Sequence, residues 1–330
     1  MAFIVINRLK ILSVVALISA IAIGFYSGWR EVGIDREGYL LIHMLVSSSD
    51  SIVEKFFFSK DVMFLVAISL ASIFSSDPKS TFLLVCLTSV IAKYFAVRRV
   101  APQYLLGFAF IYFIFLSPGL EFAAMRGALS IGFFMLALTY SERLIPFSIF
   151  SLLSVASHIA ILPAILFAYS PINFWLARHK FSYLAIIILI SLFASNLIEI
   201  FPRGIDYENN RGNLLAYALP TATLVVSFLI FYCSELPVKN NLKNLILPFV
   251  EKTKPVIFGL ISISFAICGA VVTASTRYLE IVWCLLIIPA LVFCRRSWVN
   301  FFGLIAFITF LSYLNIVRFT WLAVVKPSLF

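Results

Sequence analysis

Apolar runs joined by short polar loops fill almost the whole of this sequence. The runs lie at roughly 11–27, 62–76, 80–97, 104–118, 127–141, 145–157, 159–170, 181–200, 215–235, 256–275, 278–294 and 299–317. Of the 330 residues 62% are apolar and 12% charged, against about 45–50% and about 25% in soluble domains. The surplus has to face lipid, so the sequence predicts one all-α polytopic integral membrane domain over residues 1–330. We expect roughly 11–13 transmembrane helices, some short or broken.

The positions of the charged residues indicate how these helices are oriented. The chain has 25 Lys and Arg against 15 Asp and Glu, a net charge of +10. Such a balance can mark a nucleic-acid-binding protein, but here the cations lie in short loops between apolar runs, as in membrane proteins. The unopposed basic residues are therefore assigned to the cytoplasm: Arg8, Lys10, Arg98, Arg99, Arg178, Lys180, Lys239, Lys243, Lys252, Lys254, Arg295 and Arg296.

This orientation predicts external loops at about 28–61 and 200–214 and a cytoplasmic loop at about 237–254. The number of apolar runs conflicts with this orientation at one place. An external 28–61 and a cytoplasmic Arg98 require an odd number of crossings, yet two apolar runs lie between them. Either the segment 56–76 is partly re-entrant or Arg98 departs from the charge rule.

The sequence offers no support for cofactor or metal chemistry. Its five cysteines are scattered within apolar runs without a C-x-x-C pair, which is typical of buried small hydrophobic residues. No Gly-rich phosphate-binding motif occurs, and no loop is long enough to fold as a nucleotide-binding domain. We therefore expect no cofactor and no metal, and a substrate reached from the membrane or its outer face.

Ionisable residues at membrane depth are costly and are functional candidates by default, and four places in this chain retain them. The first follows the first helix, where Gly33 permits a turn that would aim Arg30 and Asp35 toward one cavity, with Tyr39 close behind. The alternative is an interfacial Arg30–Asp35 pair that only tethers the loop. Asp35 and Glu37 could also hold a divalent cation, which is a weak signal.

The second place is the polar break that contains Glu121 and Arg126. Small neighbours such as Ala124 and Gly127 let helices pack closely, so that the guanidinium is buried in protein rather than lipid. A buried arginine needs an anion. Here the anion is either Glu121 or a phosphate group of a substrate.

The third and fourth places are a histidine and a second arginine. His158 lies either where two short helices meet or in one helix kinked at Pro163, and imidazole suits proton transfer near neutral pH. Alternatively, His158 is a hydrogen-bonded histidine of the core without a role in proton transfer. Arg277 and Tyr278 lie in a polar clasp between two long apolar helices. Arg211 belongs to an external loop rich in donors, which could equally be a solvated connector.

Three arginines and one histidine are thus expected to converge on the outer side of the membrane: Arg30, Arg126, Arg277 and His158. Guanidinium groups bind phosphate in bidentate fashion and stabilise the charge that builds up on a leaving diphosphate. Such a reaction needs cations, an acceptor cleft and one base, and it needs no nucleotide site.

The motifs around these residues resemble those of the EpsG-type, Wzy-like polysaccharide polymerases, which include O-antigen polymerases. The sequence WREVGID at 29–35, followed by Tyr39, is similar to the family's R-x-V-G-x-D…Y signature. Residues 125–128 resemble its I-R-Q-x-x-A element, 156–163 its F-H-x-S-A-L-x-x-x-P stretch, and 275–278 its late A-R element. The order and approximate spacing agree over nearly the whole chain. Gly127 stands where the family usually has Gln, and the Asn that commonly precedes the arginine is missing.

The resemblance implies a glycosyltransferase of the bacterial inner membrane with a periplasmic active site. It would transfer a growing glycan from undecaprenyl diphosphate to a lipid-linked repeat unit. The implied partners are these undecaprenyl-diphosphate-linked units, membrane lipid and a separate chain-length regulator, without nucleic acid. Arg126 and Arg277 would act on the diphosphate, and His158 or Asp35 on the acceptor hydroxyl. Further substrate contacts are expected from Arg30, Tyr39, Glu121, Tyr278 and Arg211.

Two other classes of protein stay open. A flippase or transporter of the same lipid-linked sugars would use the same arginines, but it should show pseudo-symmetric halves, and no internal repeat is detectable. A membrane-bound acyltransferase that modifies surface glycans would have a similar length. Its expected F-x-S-G-like element with an early basic–His pair is not found.

Overall fold

The computed structural model describes residues 2–29, 35–121, 124–169, 217–232, 243–268, 272–294 and 303–310. These residues contain helices and turns and no strands, which confirms the all-α prediction. The α-helices are α1 (Ala2–Trp29), α2 (Arg36–Ser48), α3 (Ile52–Phe58), α4 (Val62–Ser72), α5 (Pro78–Val100), α6 (Leu105–Ile111), α7 (Met125–Thr139), α8 (Leu144–Ser157), α9 (Leu162–Ala168), α10 (Ala218–Tyr232), α11 (Lys243–Cys268) and α12 (Val272–Cys294). Short turns of other helix types lie at Pro102–Tyr104, Tyr112–Leu116 and Ile159–Ile161, and 303–310 is helical.

Within these described ranges, three helices are long and apolar enough to cross a membrane: Ile11–Trp29, Pro78–Val100 and Ser275–Val292. Six shorter apolar helices accompany them. The chain is therefore an all-α polytopic membrane protein. The number of its spans stays a prediction, because a helix shorter than about 20 residues does not by itself reach across the hydrocarbon core.

Helices α1 and α5 form an antiparallel pair. Gly28 near the end of α1 lies against Leu83 near the start of α5, so closely that a Cβ at Gly28 would overlap the Leu83 backbone. At the other end of the pair, the Ser13 hydroxyl lies 2.7 Å from the Tyr94 hydroxyl. The end of α5 therefore lies beside the first half of α1.

Contacts among the later helices place several basic residues at that same end. The Arg99 guanidinium lies 4.1 Å from the centre of the Tyr140 ring, just after α7. Lys252 of α11 donates to the Ser141 hydroxyl at 2.7 Å and pairs with Glu142. We call this region, which holds Arg98, Arg99 and Lys252, the basic end of the bundle.

The short helices between α1 and α5 bear on the conflict in the crossing count. Helix α5 starts where α1 ends and runs back to the basic end, so it would supply the one crossing required. Helix α4 has 11 residues, a length of about 16 Å, about half of the ~30 Å hydrocarbon core. The contacts therefore favour the first alternative, in which the segment 56–76 does not cross.

Two predicted loops are largely helical. The predicted external loop at 28–61 contains α2 and α3, because Tyr39, His43 and Val46 recur at helical spacing and are buried on one face of α2. The predicted cytoplasmic loop at 237–254 is helical from Lys243 onward. Charge and polarity alone had suggested loops at both places.

Candidate functional site

One cavity of about 460 Å³ lies at the end of the bundle opposite the basic end. Helix α7 starts at this cavity and ends beside Arg99, while α8 starts near Lys252 and ends at the cavity. Its polar and aromatic wall consists of Asp35, Tyr39, Arg126, Ser130, His158, Arg277, Tyr278 and Glu280. The structure thus brings together six of the predicted site residues, which come from four separate parts of the chain.

Arg126 reaches this wall from the first turn of α7. Its Nη1 donates to Asp61 Oδ2 at 2.5 Å, and its guanidinium carbon lies 5.0 Å from the centre of the Tyr39 ring and 5.8 Å from that of Phe64. Nε of Arg126 is buried without a hydrogen-bond partner. The guanidinium therefore has a partner for one edge and an unused donor on another.

The carboxylate that accompanies Arg126 is Asp61, so the expected pairing of Arg126 with Glu121 requires correction. Asp61 lies directly before α4, and only 7% of its side chain is exposed. Glu121, which we expected to pair with Arg126 or to contact substrate, does not line the cavity. Its carboxylate accepts instead from Lys93 Nζ at 2.9 Å and from the Tyr112 hydroxyl at 2.5 Å.

His158 occupies a break between helices, which corresponds to the two-helix alternative. Helix α8 ends at Ser157, and His158 has an extended backbone before the turn at Ile159–Ile161. Its Nδ1 lies 3.4 Å from Asp61 Oδ1, its side chain is 34% exposed, and it lines the cavity. Asp61 thus touches Arg126 with one oxygen and His158 with the other.

Arg277 lies in the first turns of α12 and has two carboxylate partners. Its Nη1 donates to Glu280 Oε2 at 3.0 Å, one turn along the same helix. Its Nη2 lies 3.4 Å from Asp35 Oδ2, at the start of α2. Glu280 is buried, whereas 40% of the Asp35 side chain is exposed. Asp35 is therefore the partner that an incoming anion can displace most easily.

Tyr39 closes one side of the cavity beneath the guanidinium of Arg126. Burial raises the pKa of Tyr39, and the positive charge of Arg126 reduces this rise. The phenol therefore stays protonated near neutral pH and can donate a hydrogen bond. Its ring also packs against Phe64 and Phe82, at centroid distances of 5.5 and 6.3 Å.

Two predicted site residues, Arg30 and Arg211, lie outside the described residues. Three functional candidates were missed: Asp61, Lys93 and Glu280. A signal existed for two of them, because Glu280 lies three residues after Arg277 on a helix and Lys93 is a lone cation within an apolar run. Asp61 gave no local signal, since only the tertiary fold brings it to Arg126.

The described part of the chain contains no group of three or more His, Cys, Asp or Glu side chains arranged to hold a metal. The cavity instead offers two guanidinium groups, a histidine with a carboxylate behind it and a protonated phenol. Chemically, this set can bind an anionic group and exchange a proton with a neighbouring hydroxyl.

Comparison with known proteins gave no match. No protein-family model, no curated protein and no solved structure matches this chain. The resemblance to the EpsG-type, Wzy-like polymerases therefore stays a prediction that rests on the motifs alone.

Proposed function

We propose that this chain is a glycosyltransferase of the bacterial inner membrane that extends a glycan carried on undecaprenyl diphosphate. The observation that carries the proposal is the single cavity shared by Arg126, Arg277 and His158, at the end of the bundle opposite the basic end. These residues are more than 30 positions apart in sequence, and each is expensive to place in a membrane protein.

The orientation follows from the distribution of positive charge. Arg98, Arg99 and Lys252 gather at one end of the bundle, and such residues favour the cytoplasmic side of a membrane. The cavity at the other end would then open toward the periplasm. This placement fits a lipid-linked glycan, because the reaction then needs no soluble nucleotide sugar.

The arginines would bind the diphosphate of the donor. Arg126 has an unpartnered Nε, and Arg277 makes only a long contact to the half-exposed Asp35. A diphosphate carries more negative charge than a carboxylate and accepts the guanidinium fork in bidentate fashion. It would therefore take the place of Asp35 on Arg277, while Asp61 and Glu280 keep the two arginines oriented.

In the proposed transfer, an acceptor hydroxyl attacks the anomeric carbon of the donor glycan. The new carbon–oxygen bond forms as the bond from that carbon to the diphosphate oxygen breaks, and its electron pair leaves with the diphosphate. The hydroxyl proton passes to a base, for which His158 and Asp35 are the candidates within the cavity wall. The arginines stabilise the charge on the departing diphosphate.

The size of the cavity agrees with this reaction. A volume of about 460 Å³ is within the range of roughly 300–1,000 Å³ for small-molecule sites. It holds the reacting ends of two substrates rather than whole glycans. The remaining sugars and both lipid chains would extend outside it.

The proposal is tested by substituting each arginine in the native host and resolving the surface glycans by electrophoresis. R126A or R277A should leave glycans at a single repeat unit, with chain extension reduced by at least about 100-fold, the usual effect of removing a donor to a developing anion. R126K and R277K should also fail, because lysine keeps the charge but loses the fork. The matched control is R143A, which removes an exposed arginine at the basic end.

Other outcomes of this experiment would assign the chain to a different class. Loss of all surface glycan, including the single unit, would indicate a flippase. Chains of normal length that lack an acyl group would indicate an acyltransferase. Normal ladders in all four arginine variants, with the proteins present in the membrane, would overturn the proposal.

A further inference from the structure

The geometry around Asp61 points to different roles for Asp61 and His158 within the site. We infer that Asp61 is a positioning residue that holds His158 with hydrogen on Nδ1, leaving Nε2 free to accept the proton of the acceptor hydroxyl. The inference rests on the proposed function, because the acceptor hydroxyl belongs to that reaction. It also chooses His158 over Asp35 as the base.

The first observation is that the side chain of Asp61 does not cap helix α4, although Asp61 lies at the position where an aspartate usually does so. It is the residue before the first turn of α4, and its backbone carbonyl accepts from the amides of Phe64 and Leu65. An aspartate at this position usually caps the helix with its side chain. Here the side chain makes no such hydrogen bond and extends instead to Arg126 and His158.

The second observation is that the backbone of His158 is held on both sides. Its amide donates to the Ser154 carbonyl at 3.1 Å, and its carbonyl accepts from the Ile161 amide at 3.2 Å. Ser130 and Ser154 are in turn linked by reciprocal hydrogen bonds of 2.8 Å. The ring is therefore presented to Asp61 from a fixed backbone, which is what control of its tautomer requires.

The charged groups around the cavity favour His158 over Asp35 as the base. His158 faces the carboxylate of Asp61, which stabilises the imidazolium that forms when the ring takes a proton. Asp35 faces Arg277, so its carboxylate is already engaged in an ion pair. Asp61 links Arg126 to His158, and Glu280 is paired with Arg277.

The inference specifies the path of the hydroxyl proton and leaves the other steps of the proposed transfer unchanged. Nε2 of His158 accepts the proton of the acceptor hydroxyl while its oxygen bonds to the anomeric carbon. Asp61 keeps the hydrogen on Nδ1 throughout, in its place between Arg126 and the imidazolium. After transfer, the proton leaves from Nε2 to water or to the released diphosphate.

The tautomer can be observed directly, without any activity. The chain has three histidines, so nitrogen NMR of the histidine-labelled protein in lipid nanodiscs is tractable, and H158Q identifies the His158 signals. Wild-type His158 should carry its hydrogen on Nδ1, and D61N should lose that preference. The same mixture of tautomers in both proteins would overturn the inference.

The second measurement is chain extension in membranes prepared from the native host. D61N should reduce the rate by about 10²–10⁴-fold, and so should H158A, as expected for a general base and its partner. The double variant D61N/H158A should be no slower than H158A. That result would show that Asp61 acts through His158. If the rate reductions of the two single variants instead multiply in the double variant, Asp61 acts elsewhere and the inference is overturned.

Binding of undecaprenyl diphosphate to the purified protein separates this role from the arginine contact. D61N keeps a side-chain carbonyl oxygen that can accept from Arg126, so the arginine should stay oriented and charged, and the variant should bind this probe within about threefold of wild type or more tightly. The matched control D50N, an exposed aspartate of the same segment, should be unchanged in every measurement. Loss of probe binding in D61N would overturn the inference.

The results also distinguish the inference from the proposed function. If wild-type membranes extend chains and D61N extends them at a rate within threefold of wild type, the role of Asp61 is overturned. The glycosyltransferase proposal then stays intact. Absence of extension by wild-type membranes would overturn the proposed function, and the proton-transfer role with it.

Discussion

Arg126 and Arg277 face the same cavity but are held by carboxylates of different character. Asp61 holds Arg126 at 2.5 Å and is almost fully buried, so this pair behaves as a fixed part of the wall. Asp35 approaches Arg277 only to 3.4 Å and is partly exposed, so this contact competes with water. A ligand anion therefore meets one arginine that is already fixed and one that is partly available.

This difference predicts the effect of D35N. Removing the carboxylate should free Nη2 of Arg277 and tighten binding of undecaprenyl diphosphate by about two- to fivefold, since a partly exposed ion pair contributes only ~0.2–1 kcal/mol. The measurement is a binding titration in lipid nanodiscs, with D50N as control. Chain extension should persist. Its loss by about 100-fold with binding intact would instead make Asp35 the base.

At the scale of helices, α1 and α5 depend on glycine for their close approach. A Cβ at Gly28 would overlap the backbone of Leu83, which cannot move as a flexible side chain can. Gly38 in α2 has nothing within 4 Å of the corresponding position. The two glycines therefore form a matched pair for testing the helix contact.

We expect G28A to destabilise the protein by about 1–3 kcal/mol, the usual cost of overpacking. G38A should be neutral or stabilising by up to about 1 kcal/mol, because alanine favours the helix over glycine. Melting temperatures of both variants in the same detergent provide the measurement. Equal melting temperatures for G28A and wild type would contradict the close approach of α1 and α5.

A buried ion pair joins α5 to the turn that precedes α7. Lys93 and Glu121 are both fully buried, and Lys93 Nζ also donates to Ser89 Oγ at 2.5 Å and to the Ala128 carbonyl at 2.7 Å. Because Ala128 lies in the first turn of α7, two residues after Arg126, the network ties the start of α7 to α5. Its role is thus to support the site from behind.

Removing one charge of this pair should lower the free energy of unfolding more than removing both charges. K93M or E121Q alone leaves an uncompensated buried charge and should destabilise by about 3–5 kcal/mol. K93M/E121Q leaves no charge, and the glutamine can still accept from the Tyr112 hydroxyl. The double variant should therefore melt at a higher temperature than either single variant. Additive losses of melting temperature would show that the two charges do not depend on each other.

The sequence predicted the helices better than the contacts between them. The apolar runs at 127–141 and 145–157 correspond to α7 and α8, and the break at His158 is where a helix ends. Hydropathy records which residues avoid water, which is a local property. It does not record which carboxylate folds back onto a given arginine, so Asp61 was missed and Glu121 was assigned the wrong partner.

At the scale of the whole molecule, the two ends of the bundle differ in their chemistry. One end gathers Arg98, Arg99 and Lys252, while the other holds the cavity, whose positive groups are each matched by a carboxylate. Lys and Arg near the ends of membrane-spanning helices favour the cytoplasmic side. This asymmetry supports the proposed orientation, in which the cavity would face outside.

Single cysteines on exposed residues test both this orientation and the course of α4. In intact cells a membrane-impermeant maleimide should label D50C, before α4, and S76C, after it, because α4 is too short to cross. R143C, between α7 and α8, should be labelled only after the membrane is permeabilised. Of the five native cysteines, Cys86, Cys268 and Cys284 are buried, and the unsubstituted protein supplies the background for all five. Labelling of D50C and S76C from opposite sides would show that α4 crosses. Labelling of R143C in intact cells would reverse the orientation, and the cavity could then not receive a periplasmic substrate.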